Sequence, residues 1–206
     1  IVAKYPATYG HTSVINNLCN GLNELGHKTA IGAFSFDDDP PKGIEKVVLK
    51  KNKLLRSGVA SLKYDIIHPH QARVLYYLLF KKPEKPIVFH YHAASNIIQE
   101  LNLKSSMKLF KKRISKFISV SEKASHHLEE WAGKCDDVVI YNGVNTKFFH
   151  PDLDQPYRKG TPQLLFVSVL RKYKKTVDLI KVMPELLKTY PKAHLQIVGN
   201  GEDFSR

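Results

Sequence analysis

Cysteine is scarce: Cys19 and Cys135 are the two thiols in 206 residues, too few for a disulfide framework and without the close spacing of a thiolate metal site. A reducing compartment is the expectation. No apolar run approaches the roughly 20 residues that span a bilayer, and no signal-peptide pattern opens the chain. The start at Ile1, without Met and already strand-like, reads as trimmed. Acidic residues are in deficit: 19 Asp and Glu face 32 Lys and Arg, for a formal net charge of +13. That excess favours anionic partners such as nucleic acid, acidic lipid or phosphorylated substrates. Nucleic acid is then set aside, because zinc-finger spacing, a ribonucleoprotein-type aromatic motif and a compelling helix-turn-helix pattern are all missing.

What is present is an alternation of apolar, strand-length runs with helical patterns, as a parallel sheet with crossover helices requires. Strands are predicted near 1–4, 28–34, 46–49, 65–68, 86–90, 116–120, 137–141, 164–169 and 194–198. A helix is predicted over 12–25, where Val14, Ile15, Leu18, Leu22 and Leu25 recur on one face and Gly26 stands at the C-terminal cap. Another begins at Ser121, an N-cap residue followed by Glu122. A third spans about 176–190, where Pro184 predicts a kink or a restart. Residues 151–163, with Pro151, Pro156, Gly160 and Pro162, have linker composition. The reading is therefore an α/β protein with a domain over 1–150, a linker over 151–163 and the beginning of a second domain over 164–206. That second part has too few elements to close a core of its own and is expected to be a fragment of a longer protein, unable to turn over by itself.

The most specific stretch is VVIYNGVNTKFFHPD, Val138 to Asp152, a strand running into Asn142-Gly143 and leaving through an aromatic-Pro exit. Asn142-Gly143 is by itself a turn signal at a position tolerant of positive φ. The stretch resembles the hinge of family-4 retaining glycosyltransferases of the GT-B fold, with Asn145 where Asp is usual. Other segments similar to that family follow its order: YPATYGHTSV, LGHKTAI, DIIHPH, VFHYHA, FISVSEKASHHL, LLFVSVLRKYKK and LQIVGNGED. The resemblance implies two Rossmann-like domains, the second truncated. It also implies glycosyl transfer, with retention, from a nucleotide-sugar donor to an acceptor that is a glycan or lipid-linked. The family's paired-glutamate motif is absent from the chain.

Ligands of doubly wound sheets gather at the carboxyl ends of the strands. His92 in VFHYHA matches the family's cleft histidine and is the catalytic candidate; His90 lies on the same strand face and competes with it. A strand-end histidine satisfied by a backbone carbonyl is the alternative. The acceptor side is expected to include Gly10, His11, His70, His90 and Ser121, the last also a plain helix cap. On the donor side Lys174 matches the family's diphosphate-gripping Lys. Val169 stands where the family has Arg, and Arg171 is expected to reach the phosphate in its stead. Gly199 and Gly201, in a strand-ending turn, would shape the donor side.

His68 and His70 flank a proline and lack a nearby acid or thiolate, so no metal is assigned to them. Asp37-Asp38-Asp39 and the Asp152, Asp154 pair sit in turn-like sequence and are read as turns. Transfer is expected to proceed without metal or cofactor, basic groups and helix N-termini neutralising the leaving diphosphate. In LKSSMKLFKKRISKF, Leu103, Met107, Phe110, Ile114 and Phe117 form a stripe amid Lys104, Lys108, Lys111, Lys112, Arg113 and Lys116. A crossover helix explains it; so does a basic helix lying on an anionic membrane, giving a cytoplasmic protein peripheral to the inner face. Two other functions share this sequence logic: a GT-B-like nucleotide-sugar epimerase, and a non-catalytic basic Rossmann-like binding module.

Overall fold

The computed structural model describes residues 1–6, 10–49, 64–79, 85–94, 96–151 and 159–204. It divides into a unit of residues 1–148 and a unit of residues 149–206. The first unit carries strands β1 (Ala30–Ala33), β2 (Glu45–Val48), β3 (Val88–Tyr91), β4 (Lys116–Ser119) and β5 (Asp137–Val139). Its helices are α1 (His11–Glu24), α2 (Ala72–Leu79), α3 (Ile97–Phe110) and α4 (Glu122–Ala132). The second unit carries β6 (Gln163–Val167), α5 (Thr176–Thr189) and β7 (His194–Val198). Every strand ladder among the described residues is parallel. The fold class is thus the α/β class with parallel sheets expected from the sequence.

Backbone hydrogen bonds outside those ladders show how the first unit's sheet is ordered. Val2 N donates to Gly32 O at 3.0 Å and Phe34 N to Ala3 O at 3.2 Å, which seats residues 1–5 beside β1. On the other flank, Val88 N donates to Ile67 O at 2.9 Å and His90 N to Pro69 O at 3.0 Å, which seats residues 67–70 beside β3. His70 N to Ile1 O, at 3.0 Å, joins the two halves. The order is β2, β1, 1–5, 67–70, β3, β4, β5. Chain order reverses between 1–5 and 67–70, the switch point at which a doubly wound sheet opens a crevice beyond its strand ends.

Packing follows the side-chain periods. Leu103, Met107 and Phe110 of α3 lie at i, i+4 and i+7, are buried, and join Phe89, Phe117 and Leu128 in one apolar cluster. Ile15 and Cys19 of α1 lie four apart and pack with Val2, Tyr5 and Ile31 in a second cluster. Leu25, expected on the buried face of α1, is 76% exposed, because the helix ends at Glu24 and Gly26 turns the chain at φ 88°.

The apolar stripe over 103–117 divides as the strand predicted near 116–120 requires: α3 stops at Phe110, a 3₁₀ turn covers Lys111–Arg113, and Phe117 points inward from β4. Two further expectations change on folding. Asn142-Gly143 is not a left-handed turn, since Gly143 has no positive φ. The turn comes later, where the Asn145 side chain accepts from Lys147 N at 3.0 Å and Phe148 N at 3.2 Å. Pro184 does not interrupt α5, which runs through it. In the acidic run at 37–39 the Asp38 side chain accepts from Asp39 N at 2.8 Å at a bend of the chain, while Asp37 pairs with Lys4 at 2.5 Å and Asp39 with Lys46 at 2.6 Å. Asp152 and Asp154, with most of the 151–163 segment, lie outside the described residues. Among the described residues no helix is long and apolar enough to cross a membrane.

Truncating a buried α3 side chain removes transfer energy and leaves a cavity. Leu103→Ala is therefore expected to lower stability by about 2–5 kcal/mol. Leu101→Ala, two residues away and 54% exposed, should stay within about 0.5 kcal/mol, and urea unfolding of both variants checks the contrast.

Candidate functional site

At the switch point the strand ends bring histidines from three parts of the chain together. His68 and His70 come from one extended segment and His90 and His92 from β3 and its exit; side chains alternate, so each pair points to one face. His11 comes from the first turn of α1. Ring centroids of His68 and His70 are 4.6 Å apart, those of His90 and His92 4.5 Å, and those of His11 and His92 4.6 Å. His70 Nδ1 and His92 Nε2 are hydrogen-bonded at 2.9 Å. The backbone just after His92 is strained: Ala93 has φ 70°, a conformation that costs a non-glycine residue about 1–3 kcal/mol. That bend turns the chain away from the strand and toward α3.

Beside the cluster is a cleft of about 350 Å³ lined by His11, His70, Arg73, Asn96, Gln99 and Asn102 among others, with His92 in its wall. Asn96 also caps α3, its side chain accepting from Gln99 N at 3.0 Å. Gln71 Oε1 accepts from Ala3 N at 3.1 Å, pinning the start of the adjoining wall. Tyr91, another wall residue, meets His127 Nδ1 through its hydroxyl at 2.6 Å, and His127 Nε2 lies 3.4 Å from Glu100 Oε1.

Burial is the leading cause of the cluster's electrostatics. It pushes His92 down to about 2, His68 to about 3 and His90 to about 4, and the charge that neighbouring imidazoles would carry adds to the effect. His70 is held well below the ordinary histidine range and His11 below it, burial again first. These rings are neutral at pH 7. Each then has one N–H donor and one acceptor nitrogen, so His92 offers hydrogen bonds rather than positive charge. Among the described residues that line the cleft, the cation is Arg73.

The structure thus places His11, His70 and His92 on the cleft. His90 sits behind them, 6% exposed and absent from the cleft wall. Gly10 is the N-cap of α1 at φ 79°, so its contribution is a left-handed entry to the helix. Ser121 is engaged as the α4 N-cap, its hydroxyl accepting from Ala124 N at 3.1 Å, and does not line the cleft. Arg73, Asn96, Gln99 and Asn102 were not singled out in the sequence; Arg73 stands three residues after His70, the end of DIIHPH, so the strand-end rule could have found it.

In the second unit, a Cβ on Gly199 would run into Ser168 O and one on Gly201 into Leu170 O. Their backbones lie against the segment leaving β6, where Leu170 N donates to Asn200 O at 2.9 Å. Arg171 follows as the N-cap of a 3₁₀ turn, Lys172–Lys174. Lys175 then adopts φ 56°, a left-handed conformation that favours glycine. Lys174 Nζ rests 5.5 Å from the Tyr173 ring centroid.

Comparison with known proteins matches residues 9–148 to the model of Glycosyltransferase Family 4. A phosphatidyl-myo-inositol mannosyltransferase of Mycolicibacterium smegmatis is 27% identical over 157 residues, which are 74% of this chain and 40% of that protein. The crystal structure of WaaG, a glycosyltransferase involved in lipopolysaccharide biosynthesis, superposes with a TM-score of 0.56 at 16% identity, covering 98% of this chain and 64% of that one. S. aureus TarM aligns with a TM-score of 0.49 at 13% identity over 68% of this chain and 29% of its own. The chain therefore spans less than half the length of the curated relative and under two thirds of WaaG.

The capping role of Ser121 has a measurable size. Ser121→Ala should lower stability by about 1 kcal/mol and Ser121→Gly by only a few tenths. Chemical denaturation of the two variants checks this, and an Ala variant as stable as the parent would leave the hydroxyl without that role.

Proposed function

Since this chain belongs to glycosyltransferase family 4, we propose that the protein it represents moves a glycosyl unit from a nucleotide-activated sugar to an acceptor, with retention at the anomeric carbon. The observation that carries the reading is His92, a neutral imidazole at the strand end, in the wall of a cleft of about 350 Å³ and oriented by His70 at 2.9 Å. In this reading the cleft takes the acceptor side of the reaction. His92 hydrogen-bonds a sugar hydroxyl, His11 and His70 shape the wall beside it, and the amide side chains of Asn96, Gln99 and Asn102 meet further hydroxyls. Arg73 provides the positive charge for a phosphate carried by the acceptor. Gly10 admits the chain into α1 so that His11 faces the cleft.

Arg171 and Lys174 hold the donor diphosphate, on a segment whose path Gly199 and Gly201 permit by their lack of Cβ. The bond from the anomeric carbon to the diphosphate breaks, one to the acceptor oxygen forms, and the proton of the acceptor hydroxyl passes to the leaving diphosphate. Guanidinium and ammonium groups stabilise the charge that grows on the diphosphate, so that the transfer itself proceeds without a cofactor or a catalytic metal. The names of the mannosyltransferase and of WaaG support an acceptor linked to lipid.

A lipid-linked acceptor fits the outer side of α3. Ile97, Ile98, Leu101 and Leu109 are 54–68% exposed, and Lys104, Lys108 and Lys112 stand exposed among them. Lys111 is spent differently: its Nζ donates to Ala132 O at 3.1 Å and to Lys134 O, closing the end of α4. In this reading the protein works in the cytoplasm and rests on an anionic bilayer through the outer side of α3, each free basic residue contributing about 1 kcal/mol near the surface.

His92→Ala in the full-length enzyme is expected to reduce turnover on the order of a hundredfold while the fold is kept, as loss of one positioned hydrogen-bonding group does. A radiolabelled donor assay reads it, and parental rates would overturn the assignment. Nucleotide release without any acceptor would point to an epimerase instead. The chain should also sediment with anionic vesicles at low salt and release as salt rises, screening acting over about 8 Å at physiological ionic strength. Lys104→Glu with Lys108→Glu and Lys112→Glu should weaken that binding; equal binding to neutral vesicles would refute the electrostatic part.

A further inference from the structure

Behind the cleft wall is a feature that sugar transfer does not use. The side chains of His68, His70 and His90 each present a nitrogen, and these nitrogens lie within 4.8 Å of one another. His90 and His70 are 6% and 5% exposed. Both nitrogens of His90 and Nε2 of His68 are buried without a hydrogen-bond partner. Unmade hydrogen bonds of this kind are rare in folded proteins and point to an occupant, a water or an ion, that uses the lone pair each neutral ring offers. His70 has already committed Nδ1 to His92, which leaves its Nε2. The proline between His68 and His70 does not hinder them. Residues two apart on a strand share a face, and Pro69 O is the acceptor that holds β3, and with it His90, in register at 3.0 Å.

We infer that His68, His70 and His90 form a binding site for a divalent transition-metal ion of the zinc class, placed behind the cleft histidine. The donor set decides the class: imidazole suits zinc, nickel and copper, while magnesium and calcium demand oxygen. Three imidazoles with a water in the fourth position is a known zinc arrangement. On a tetrahedral ion with bonds of 2.0–2.1 Å the ligand nitrogens stand about 3.4 Å apart, so the rings close by at most about 1.4 Å from the 4.8 Å within which they lie. The ion takes no part in the transfer. Its effect reaches His92 through His70: with the ion on Nε2, His70 carries its proton on Nδ1 and donates to His92 Nε2. His92 then carries its own proton on Nδ1, one tautomer out of two. The inference goes beyond the proposed transferase reaction and stands or falls separately from it.

The test uses the whole chain, free of any affinity tag, stripped with chelator and titrated with Zn²⁺ alone. About one equivalent should be retained after gel filtration, with a rise in the thermal unfolding midpoint. His68→Asn and His90→Asn should each weaken binding at least about tenfold, and His27→Asn, at an exposed position, should not. Ring nitrogen NMR of the parent protein should show His92 settle into the Nδ1–H tautomer when Zn²⁺ is added. That readout does not depend on whether the variants fold. No stoichiometric retention by the parent, binding unchanged in both folded variants, or histidine signals indifferent to Zn²⁺ would each overturn the site, and buried water would then be the partner of those nitrogens.

Discussion

The register between residues 67–70 and β3 is the constraint on which the rest of the first unit depends. Two backbone hydrogen bonds, Val88 N to Ile67 O and His90 N to Pro69 O, at 2.9 and 3.0 Å, bring two histidine-bearing strands side by side. A slip by one residue would send His90 and His92 to the opposite face, because strand side chains alternate. The same register places Phe89 in the apolar cluster under α3 and leaves His92 at the strand end. Core and cleft are thus two faces of one alignment.

Histidine is unusual as a clustered, buried side chain, and the structure shows why it is tolerated here. Burial holds the rings neutral, so the cluster brings no mutual repulsion at pH 7. What it does bring is a demand for hydrogen-bond partners, met between His70 and His92 but not at His90. A neutral, donor-and-acceptor surface suits sugar hydroxyls, whereas a diphosphate needs fixed cations. The two kinds of group lie in different units of the chain, histidines in residues 1–148 and the Arg171 and Lys174 segment in residues 149–206.

Glycine and capping residues carry the local geometry that supports this division. Gly10 admits the chain into α1, and Gly199 and Gly201 let one strand exit lie against another. Lys175 in a left-handed conformation and Ala93 in another mark the places where a non-glycine residue accepts strain beside residues of functional interest. Ser121 and Asn96 are capping residues, one at the start of α4 and the other at the mouth of the cleft.

Much of this was legible in the residues themselves. The parallel α/β class followed from alternating strand and helix periods, and the family from the ordered segments around VFHYHA and VVIYNGVNTKFFHPD. The shared face of His90 and His92 followed from alternation alone, because that is set by covalent geometry within one strand. The end of α3 at Phe110, the exposure of Leu25 and the displaced turn at Asn145 were not, since helix ends and turns depend on neighbours that periodicity does not name. Nor was the approach of His68, His70 and His90 to within 4.8 Å of one another. Two segments some twenty residues apart in the chain become adjacent only when the sheet chooses its order, and whether a nitrogen inside it finds a partner or is left without one is decided by packing from several elements at once.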